Sequence, residues 1–475
     1  MNQPKPFDCE YSPQFAELLG KLGISLAVST YQAGKVIVVS SVNNDRLIQL
    51  PRTFPGAMGM AAFEGKLAVA NTNEVVLLRN EPSLAAGYPT KPGIYDSIYL
   101  PRASFYTGNL ALHDMEFVNG KLLAVNTQFS SVSEIKSESN FVSVWQPPFI
   151  SDLQPEDRCH LNGMAVAGGQ IKYLTALGQG DQPHQWRESK MNGGVLMEYP
   201  SGKIILDNLS MPHSPRVYDD ELYLLNSAQG ELIKVDPRHK SYEVIVSLGG
   251  FARGMARYGD YLFIGVSKLR HNSPVFADLP IAKTSFAGVI AVYLPYKTVV
   301  GFMKYTMSVD EIYDVKILHS LRPSILSADM DIHKAAYALG QKSFWKETEK
   351  SQPQPQSQPQ SAPLKRSYST QVIKNVALSV IKRKFPALIN DDFDSNGDYG
   401  DKDLMTALVV VLEQKPAAMA LVQMKGEKSF NVPSFKVMPE HYGRGVEQYL
   451  VRQIDIVAGH NKIDWDNRSD FFDEK

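Results

Sequence analysis

The chain has 475 residues, 44% hydrophobic and 21% charged, with a formal net charge of −1; this length suits two or three globular domains, and the charge argues against a nucleic-acid partner. Two cysteines, Cys9 and Cys159, are too few for a disulfide framework and fit a reducing compartment. No secretory pattern opens the sequence, and no apolar run approaches the roughly 20 residues of a membrane span, so we expect a cytoplasmic protein with no membrane partner.

The first elements in chain order are a short helix and three strands. Residues 14–22 have the pattern of an amphipathic helix. Apolar runs at 26–30, 35–42 and 46–50 predict the first group of strands.

Five later segments share one pattern: an apolar stretch, a tight Gly/Asp turn and an alternating strand. They begin at intervals of 40 to 55 residues. A repeat of about this length built from short strands predicts the blades of a β-propeller. The segments are MGMAAFEGKLAVAN (58–71), HDMEFVNGKLLAVN (113–126), NGMAVAGGQIKYLTAL (162–177), HSPRVYDDELYLLN (213–226) and RGMARYGDYLFIG (253–265).

The outer strands of each blade follow these segments, which gives six blades over about residues 26–310. Residues 311–319 predict one more strand, where the ring must join its ends to remove exposed edges. Long loops are predicted at 127–140, 178–193 and 266–287, all on the side where the inner strands begin. Extra loop length on one face of a rigid scaffold indicates the working face.

The N-terminal part resembles an uncharacterised family of conserved hypothetical bacterial proteins with a propeller-like repeat. The motifs that carry the resemblance are STYQAGK (29–35), NGMA (162–165), PHSPR (212–216) and EIYDV (311–315). The resemblance covers residues 14–326 and supports the fold. It implies no activity.

Aligning the five segments puts polar side chains in one column at the channel mouth. That column holds Met58, His113, Asn162, His213 and Arg253. His160, two residues before Asn162, is expected on the same side because strand side chains alternate. By the same alternation Asp114 is expected to point away from the channel and to form a strand-edge or inter-blade hydrogen bond, and Glu116 is expected on the same face as His113. Arg216 is expected to form a salt bridge between blades.

Two interpretations of the column remain open. In one, His113, His160 and His213 bind a zinc-like metal ion, with Arg253 as a catalytic residue that stabilises negative charge. That layout resembles, in geometry only, peptidyl-hydroxyglycine amidating lyase, a six-bladed propeller with a three-histidine zinc site. In the other, the histidines hydrogen-bond backbone carbonyls and hold neighbouring blades together. Asn162, Glu116, His184 and Trp186 are the further ligand-binding candidates.

The C-terminal part is expected to be a separate module. We predict a propeller over 1–345, a disordered Pro/Gln/Ser linker over 346–368, and a small α/β domain over 369–475 that opens with a helix at 371–384. The fold class is therefore mainly β, a six-bladed propeller followed by this α/β domain.

Two motifs in that domain suggest ligands. The first has the spacing of an EF-hand-like calcium loop, with Asp at its last position instead of Glu; its residues are Asp392, Asp394, Asn396, Asp398 and Asp403. The second, residues 435–450, resembles the acyl-CoA-binding motif of GNAT acetyltransferases through Gly443 and Gly445. Glu440 stands where that motif carries Arg or Gln, which makes acyl-CoA an unlikely cofactor.

The sequence thus predicts a propeller that binds a small molecule or peptide at a His/Arg channel mouth, with metal-assisted lyase or hydrolase chemistry as one outcome. The alternative is a non-catalytic scaffold that recognises a protein or peptide and carries a tethered module. Whether the protein is an enzyme, and its oligomeric state, stay open at this point.

Overall fold

The structure is a computed structural model of the chain. It describes residues 5–269, 276, 279–340, 342–346, 368–377, 404–412, 415–424, 429–437, 450 and 464–465. Two compact units are present, Met1–Lys350 and Ser351–Lys475. Within the described residues, no helix has both the length and the apolarity to cross a membrane.

Six antiparallel sheets surround a central channel in the first unit, which is a six-bladed β-propeller as predicted. The innermost strands of neighbouring blades pack against one another around the whole ring. From the channel outwards, blade 1 contains Asp314–Leu318, Ser25–Thr30, Lys35–Val42 and Arg46–Thr53; blade 2, Met60–Phe63, Lys66–Ala70, Glu74–Asn80 and Ser97–Tyr106; and blade 3, Leu112–Val118, Lys121–Asn126, Ser131–Ile135 and Val142–Trp145. In the same order, blade 4 contains Leu161–Ala167, Gln170–Ala176, Gly194–Glu198 and Ile204–Leu209; blade 5, Pro212–Tyr218, Glu221–Asn226, Glu231–Asp236 and Ser241–Ser247; and blade 6, Phe251–Tyr258, Tyr261–Ser267, Gly288–Tyr293 and Thr298–Tyr305.

The ring closes through a strand from late in the chain. Asp314–Leu318 pairs antiparallel with Ser25–Thr30 and becomes the innermost strand of blade 1. Two further strands protect outer edges: Cys9–Tyr11 pairs with blade 6, and Pro323–Ile325 pairs in parallel with blade 2. The segment predicted at 311–319 is therefore the closing strand, and it places side chains directly in the channel.

The N-terminal helix spans Pro13–Leu22 and packs on the outside of the ring. Proline in the first turn is compatible with a helix start, and Gly23 ends the helix in the left-handed conformation at φ 67°. Phe15 and Leu19 are fully buried, and the Phe15 ring meets Phe263 of blade 6 edge-on at 6.2 Å. The shorter helical segments are Pro82–Ala85, Gln185–Ser189, Ser227–Gln229, Pro280–Lys283, Leu294–Tyr296 and Asp331–Ala335, and a hairpin joins Ala336–Leu339 to Lys342–Trp345.

Each of the six blade junctions has a hydrogen bond to a carbonyl at or just before the next innermost strand. Five of the donors are side chains, and the sixth is a backbone N–H. They are Ser29 Oγ to Met58 O (2.6 Å), Gly59 N to Leu112 O (3.1 Å), Thr127 Oγ1 to Leu161 O (2.6 Å), Asn162 Nδ2 to Pro212 O (2.8 Å), Ser227 Oγ to Ala252 O (2.6 Å) and Ser267 Oγ to Ile312 O (2.9 Å). Because these bonds are buried, each one removes an unsatisfied carbonyl from the channel wall.

The residue directly after the aligned column at the channel mouth is of one kind in odd-numbered blades and of another kind in even-numbered blades. Even blades carry glycine, and a Cβ there would collide with the next blade: Gly59 at 2.9 Å from Asp114 N, Gly163 at 3.1 Å from Ser214 N, and Gly254 at 2.6 Å from Asp314 Cα. Odd blades carry Asp314, Asp114 and Ser214, whose side-chain oxygens accept the backbone N–H of Met60 (2.9 Å), Met164 (3.0 Å) and Gly254 (3.0 Å) in the following blade. The ring is thus a threefold repeat of blade pairs.

Two predicted elements differ from the structure. The predicted loop at 127–140 contains the third strand of blade 3, Ser131–Ile135. The predicted helix at 371–384 is wrong, because Tyr368–Ala377 is a strand. The sequence of this segment is compatible with either a helix or a strand, and its pairing with Leu404–Leu412 makes it a strand.

In the second unit the described elements are the strands Tyr368–Ala377, Leu404–Leu412, Lys415–Met424, Ser429–Val437 and Asp464–Trp465, which form one sheet. Most of the predicted linker, at 347–367, lies outside the described residues. So do the calcium candidates (Asp392, Asp394, Asn396, Asp398 and Asp403) and the acyl-CoA candidates (Gly443 and Gly445). These features, and the domain boundaries, stay predictions.

The close approach at Gly254 gives a testable prediction. Gly254 has φ 71°, and a Cβ would lie 2.6 Å from Asp314 Cα. Gly254→Ala should lower the free energy of unfolding by about 2–5 kcal/mol, from the left-handed penalty and overpacking together. The control is Gly259→Ala, at φ 55° with no atom within 4 Å of the added methyl, which should cost only about 1–2 kcal/mol. Equal losses in urea denaturation would contradict this account of the junction.

Candidate functional site

The innermost strands of blades 3 to 6 each begin with a β-bulge. The extra residues fall at His113, Asn162, Ser214–Pro215 and Gly254. A bulge re-aims the side chains on either side of it, so strict alternation does not hold there. The expectation that Asp114 points away from the channel is therefore wrong, and so is the placing of Glu116 beside His113.

Five side chains from different blades meet at the channel mouth and are called the mouth cluster. They are His113, His160, His213, Arg253 and Tyr313. The His113 ring centroid lies 4.7 Å from that of His160 and 5.3 Å from that of Tyr313. The Arg253 guanidinium lies 4.9 Å from the Tyr313 ring and 5.2 Å from the Phe251 ring, whose centroid is 5.7 Å from that of His213. These contacts connect the whole cluster.

His113 and His213 are oriented by the same local device. Each donates from Nδ1 to the carbonyl two residues earlier, Ala111 or Met211, over 2.8 Å. Both carbonyls belong to residues in the left-handed conformation, with φ of 50° and 52°. Because a carbonyl can only accept, the proton is on Nδ1 and Nε2 keeps its lone pair.

The same two rings also touch the bonds between blades. Thr127 Oγ1 lies 2.8 Å from Nδ1 of His113, and Ser227 Oγ lies 3.0 Å from Nδ1 of His213, each hydroxyl 14 residues after its histidine. Each hydroxyl donates to the next blade, so it accepts from the imidazole. The Nδ1 atoms of both histidines therefore take part in the contacts between blades, as the second interpretation expects. Their Nε2 atoms are available for another role.

His160 is held differently, by a carboxylate. It precedes the strand Leu161–Ala167 at φ 51°, so its position does not follow from strand alternation. Its Nδ1 lies 2.8 and 3.0 Å from the two oxygens of Asp157, which also accepts the Trp186 indole N–H at 3.0 Å and lies 3.5 Å from His184 Nδ1. His160 packs on Trp186 at 4.3 Å. His184 and Trp186 are thus beside the mouth, as expected.

Burial favours the uncharged forms of three side chains of the mouth cluster, those of His113, His213 and Tyr313. Burial lowers the pKa of His113 well below its usual value, and the nearby His160 and Arg253 lower it further. Burial, followed by the charge of Arg253, does the same for His213. Burial also raises the pKa of the Tyr313 hydroxyl. Near neutral pH the imidazoles of His113 and His213 are therefore neutral, and the Tyr313 phenol is protonated.

Arg253 has a partner that the sequence did not suggest. Its Nη1 donates to Glu311 Oε1 over 2.9 Å, so the cation expected to act on negative charge is already paired. Three buried atoms here have no hydrogen-bond partner among the described residues: Arg253 Nε, Glu311 Oε2 and His213 Nε2. Arg253 is 8% exposed and His213 is 4% exposed, so bulk water is not the obvious partner for either.

Below the mouth, an ion pair crosses the channel. Asp114 of blade 3 receives two hydrogen bonds from Arg216 of blade 5, at 2.7 and 2.9 Å. Burial alone would lower the pKa of Arg216, but the Asp114 carboxylate more than offsets this and the pKa is raised. Arg216 is thus a salt-bridge residue between blades, as predicted, and it joins blades that are not neighbours.

A second group of charges lies beside this pair. Lys316 of the closing strand lies 3.2 Å from Glu116 and 3.5 Å from Asp314. Burial raises the pKa of Asp314, although Lys316 opposes that shift. The two groups fill the middle of the channel with paired charges and form a floor under the mouth cluster.

Two of the expected ligand-binding residues are used elsewhere. Asn162 donates to Pro212 O over 2.8 Å and accepts from the Thr175 hydroxyl over 2.7 Å, so its amide joins blades 4 and 5. Glu116 belongs to the floor through Lys316. Neither is part of the mouth cluster.

The three-histidine metal site stays a prediction. In the part of the chain that the structure describes, no three His, Cys, Asp or Glu side chains are grouped so that they could hold one metal ion. His113 and His160 are adjacent, but His213 connects to them through Phe251, Arg253 and Tyr313.

Three residues of the mouth were missed by the sequence argument. Tyr313 stands in the column as the sixth member, because YDV (313–315) aligns with HDM (113–115). That match could have been found, since a strand is predicted at 311–319. Glu311 and Asp157 lie in irregular segments, and no repeat position indicates them.

The fold and the site define a β-propeller with a polar channel mouth over a charged floor. The chain belongs to the family described as a domain of unknown function (DUF4915), whose model matches residues 13–326. No curated protein matches the chain. Among solved structures, a chain of the nidogen/laminin complex is similar, with a TM-score of 0.41, 12% identity, and coverage of 63% of this chain and 100% of that one.

The buried pair in the floor predicts a large coupling energy. Arg216→Met should destabilise the fold by about 3–5 kcal/mol, because it leaves the Asp114 carboxylate buried and unpaired. In a double-mutant cycle, Asp114→Asn combined with Arg216→Met should recover part of that loss. The exposed pair Lys297–Glu243 is the control and should show a coupling near zero. Additive losses at Asp114 and Arg216 would show that the pair does not act as a unit.

Proposed function

We propose that the protein is a ligand-binding β-propeller that holds a small polar molecule at the mouth of its channel. The observation that carries the proposal is the set of three buried atoms without partners, Arg253 Nε, Glu311 Oε2 and His213 Nε2. Leaving a buried polar atom without a hydrogen bond costs about 1–3 kcal/mol. A ligand that supplied those bonds would recover this free energy.

The surroundings of these atoms suit a binding pocket. Ligand sites combine a rigid apolar wall with a few convergent polar groups. Phe251, Tyr313 and Trp186 supply aromatic walls, and hydrogen bonds between blades hold the strands that carry the polar groups. The ion pairs of the floor favour access from the mouth.

The proposal uses only the protein's own groups. A held Nδ1 with a free Nε2 is also how metal-binding histidines are oriented, which is what supports the sequence-based expectation of a zinc-like ion. The described residues include no group of three such ligands placed to hold one metal ion, and the binding proposed here calls on neither a metal ion nor lyase or hydrolase chemistry. A zinc ion is the alternative ligand for these histidines, and the binding screen described below therefore includes Zn²⁺.

We also propose the cytoplasm as the setting. Two unpaired cysteines support it. Burial raises the pKa of Cys9 to about 11 and that of Cys159 to about 12, so neither is present as a thiolate that would favour disulfide exchange.

The test is a binding screen read at the mouth itself. Histidine-labelled full-length protein would be titrated with small carboxylates, amines, polyols, amino acids and Zn²⁺, and the imidazole resonances followed by NMR. At least one organic class should shift the signals of His113 and His213 and raise the Tm. Arg253→Gln should abolish the response.

Arg257→Gln is the matched control. Arg257 lies on the same strand as Arg253 and also pairs with an acid, Asp219, but it is away from the mouth. It should leave the titrations unchanged. A response only to Zn²⁺ would replace the proposal by a metal site, and no response to any probe would refute it.

A further inference from the structure

The three buried atoms without partners lie in one corner of the mouth. Arg253 and Glu311 are joined by their ion pair at 2.9 Å. His213 and Arg253 both pack against the Phe251 ring, at 5.7 and 5.2 Å. The three atoms therefore belong to one connected group of side chains, which is called the corner.

Of the three atoms in the corner, Arg253 Nε is a hydrogen-bond donor, and the other two are acceptors. Since Glu311 uses Nη1 of Arg253, the side of the guanidinium that carries Nε is free of that partner. Nε–H and the adjacent Nη–H point the same way and match the two oxygens of a carboxylate. Glu311 Oε2 can only accept, and so can Nε2 of His213, because Nδ1 carries its proton.

The charges in the corner restrict the class of ligand that can bind there. The Arg253–Glu311 pair is neutral as a whole, and the two histidines beside it are neutral. A simple anion or a simple cation would leave an unbalanced charge in a poorly hydrated site, which is costly. A molecule with one positive and one negative charge would leave no unbalanced charge in the site.

Resting on the proposed function, we infer that the corner binds the head group of a free α-amino acid. The carboxylate lies on the Nε side of Arg253, and the ammonium donates to Glu311 Oε2 and His213 Nε2. The Phe251 and Tyr313 rings, which contact the Arg253 guanidinium, then lie beside the bound head group. A peptide does not satisfy this arrangement, because its terminal charges sit on different residues.

The inference is tested by removing one charge of the ligand at a time. Full-length protein would be titrated by calorimetry with alanine, leucine and phenylalanine. Each would be compared with its 2-hydroxy acid, which lacks the ammonium, and with its amine, which lacks the carboxylate. The best amino acid should bind at least about tenfold more tightly than both of its counterparts, since each loses a charge-assisted hydrogen bond.

Variants assign the two ends of the ligand. Glu311→Gln should weaken the amino acid about tenfold but should not weaken the hydroxy acid, whose carboxylate then meets an Arg253 without a balancing acid. Arg253→Gln should weaken both. Glu221→Gln, which removes an acid paired with Lys234 on blade 5, is the control and should change neither.

The outcomes separate this inference from the proposed function. Equal affinity for an amino acid and its hydroxy acid, or failure of every amino acid while another class in the NMR screen still binds at His213, would overturn the inference and leave the binding function standing. Failure of all probes in both experiments would overturn both.

Discussion

The pairing of Asp314–Leu318 with Ser25–Thr30 is the interaction on which both the ring and the mouth depend. It joins residues about 285 positions apart, as the hydrogen bond from the Asp314 backbone N–H to Ser29 Oγ shows. Without it, blade 1 would lack its innermost strand and two blades would expose edges. The same segment carries Glu311 and Tyr313 into the mouth, so closure and site assembly are one event.

The alternation of blade types explains how the strands come close enough for this. Glycine in the even blades lets the neighbouring backbone approach, and an acid or hydroxyl in the odd blades bonds the N–H that this approach presents. Asp314 of the closing strand takes part in both: its backbone approaches Gly254 of blade 6, and its carboxylate accepts the N–H of Met60 in blade 2. Because the device repeats three times, the channel narrows enough for Asp114 and Arg216 to meet across it.

Much of this fold could be predicted from the sequence because the repeat is long-range and regular. The five segments indicate the innermost strands, and their first column contains His113, His213 and Arg253. The bulges could not be predicted, because they depend on pairing with the second strand, and they changed the direction of Asp114. Nor could Glu311 or Asp157, because irregular segments carry no period, and their positions are fixed only by the tertiary contacts of Arg253 and His160.

The structure also changes the chemistry expected of the mouth. An arginine beside three histidines suggests a cationic site, but Glu311 balances Arg253, and burial favours the neutral imidazoles of His113 and His213. Three buried polar atoms near the aromatic rings, those of Arg253, Glu311 and His213, have no hydrogen-bond partner among the described residues. Under the proposed function, the mixture of one donor side and two acceptors would select a ligand of mixed charge.

A crystal structure of the full chain grown with L-leucine tests the central claim most directly. The account predicts ligand density in the corner formed by Arg253, Glu311 and His213, with the carboxylate on the Nε side of Arg253 and the ammonium within hydrogen-bond distance of Glu311 Oε2. It would be contradicted by a structure in which these three side chains satisfy one another and leucine is bound elsewhere or not at all.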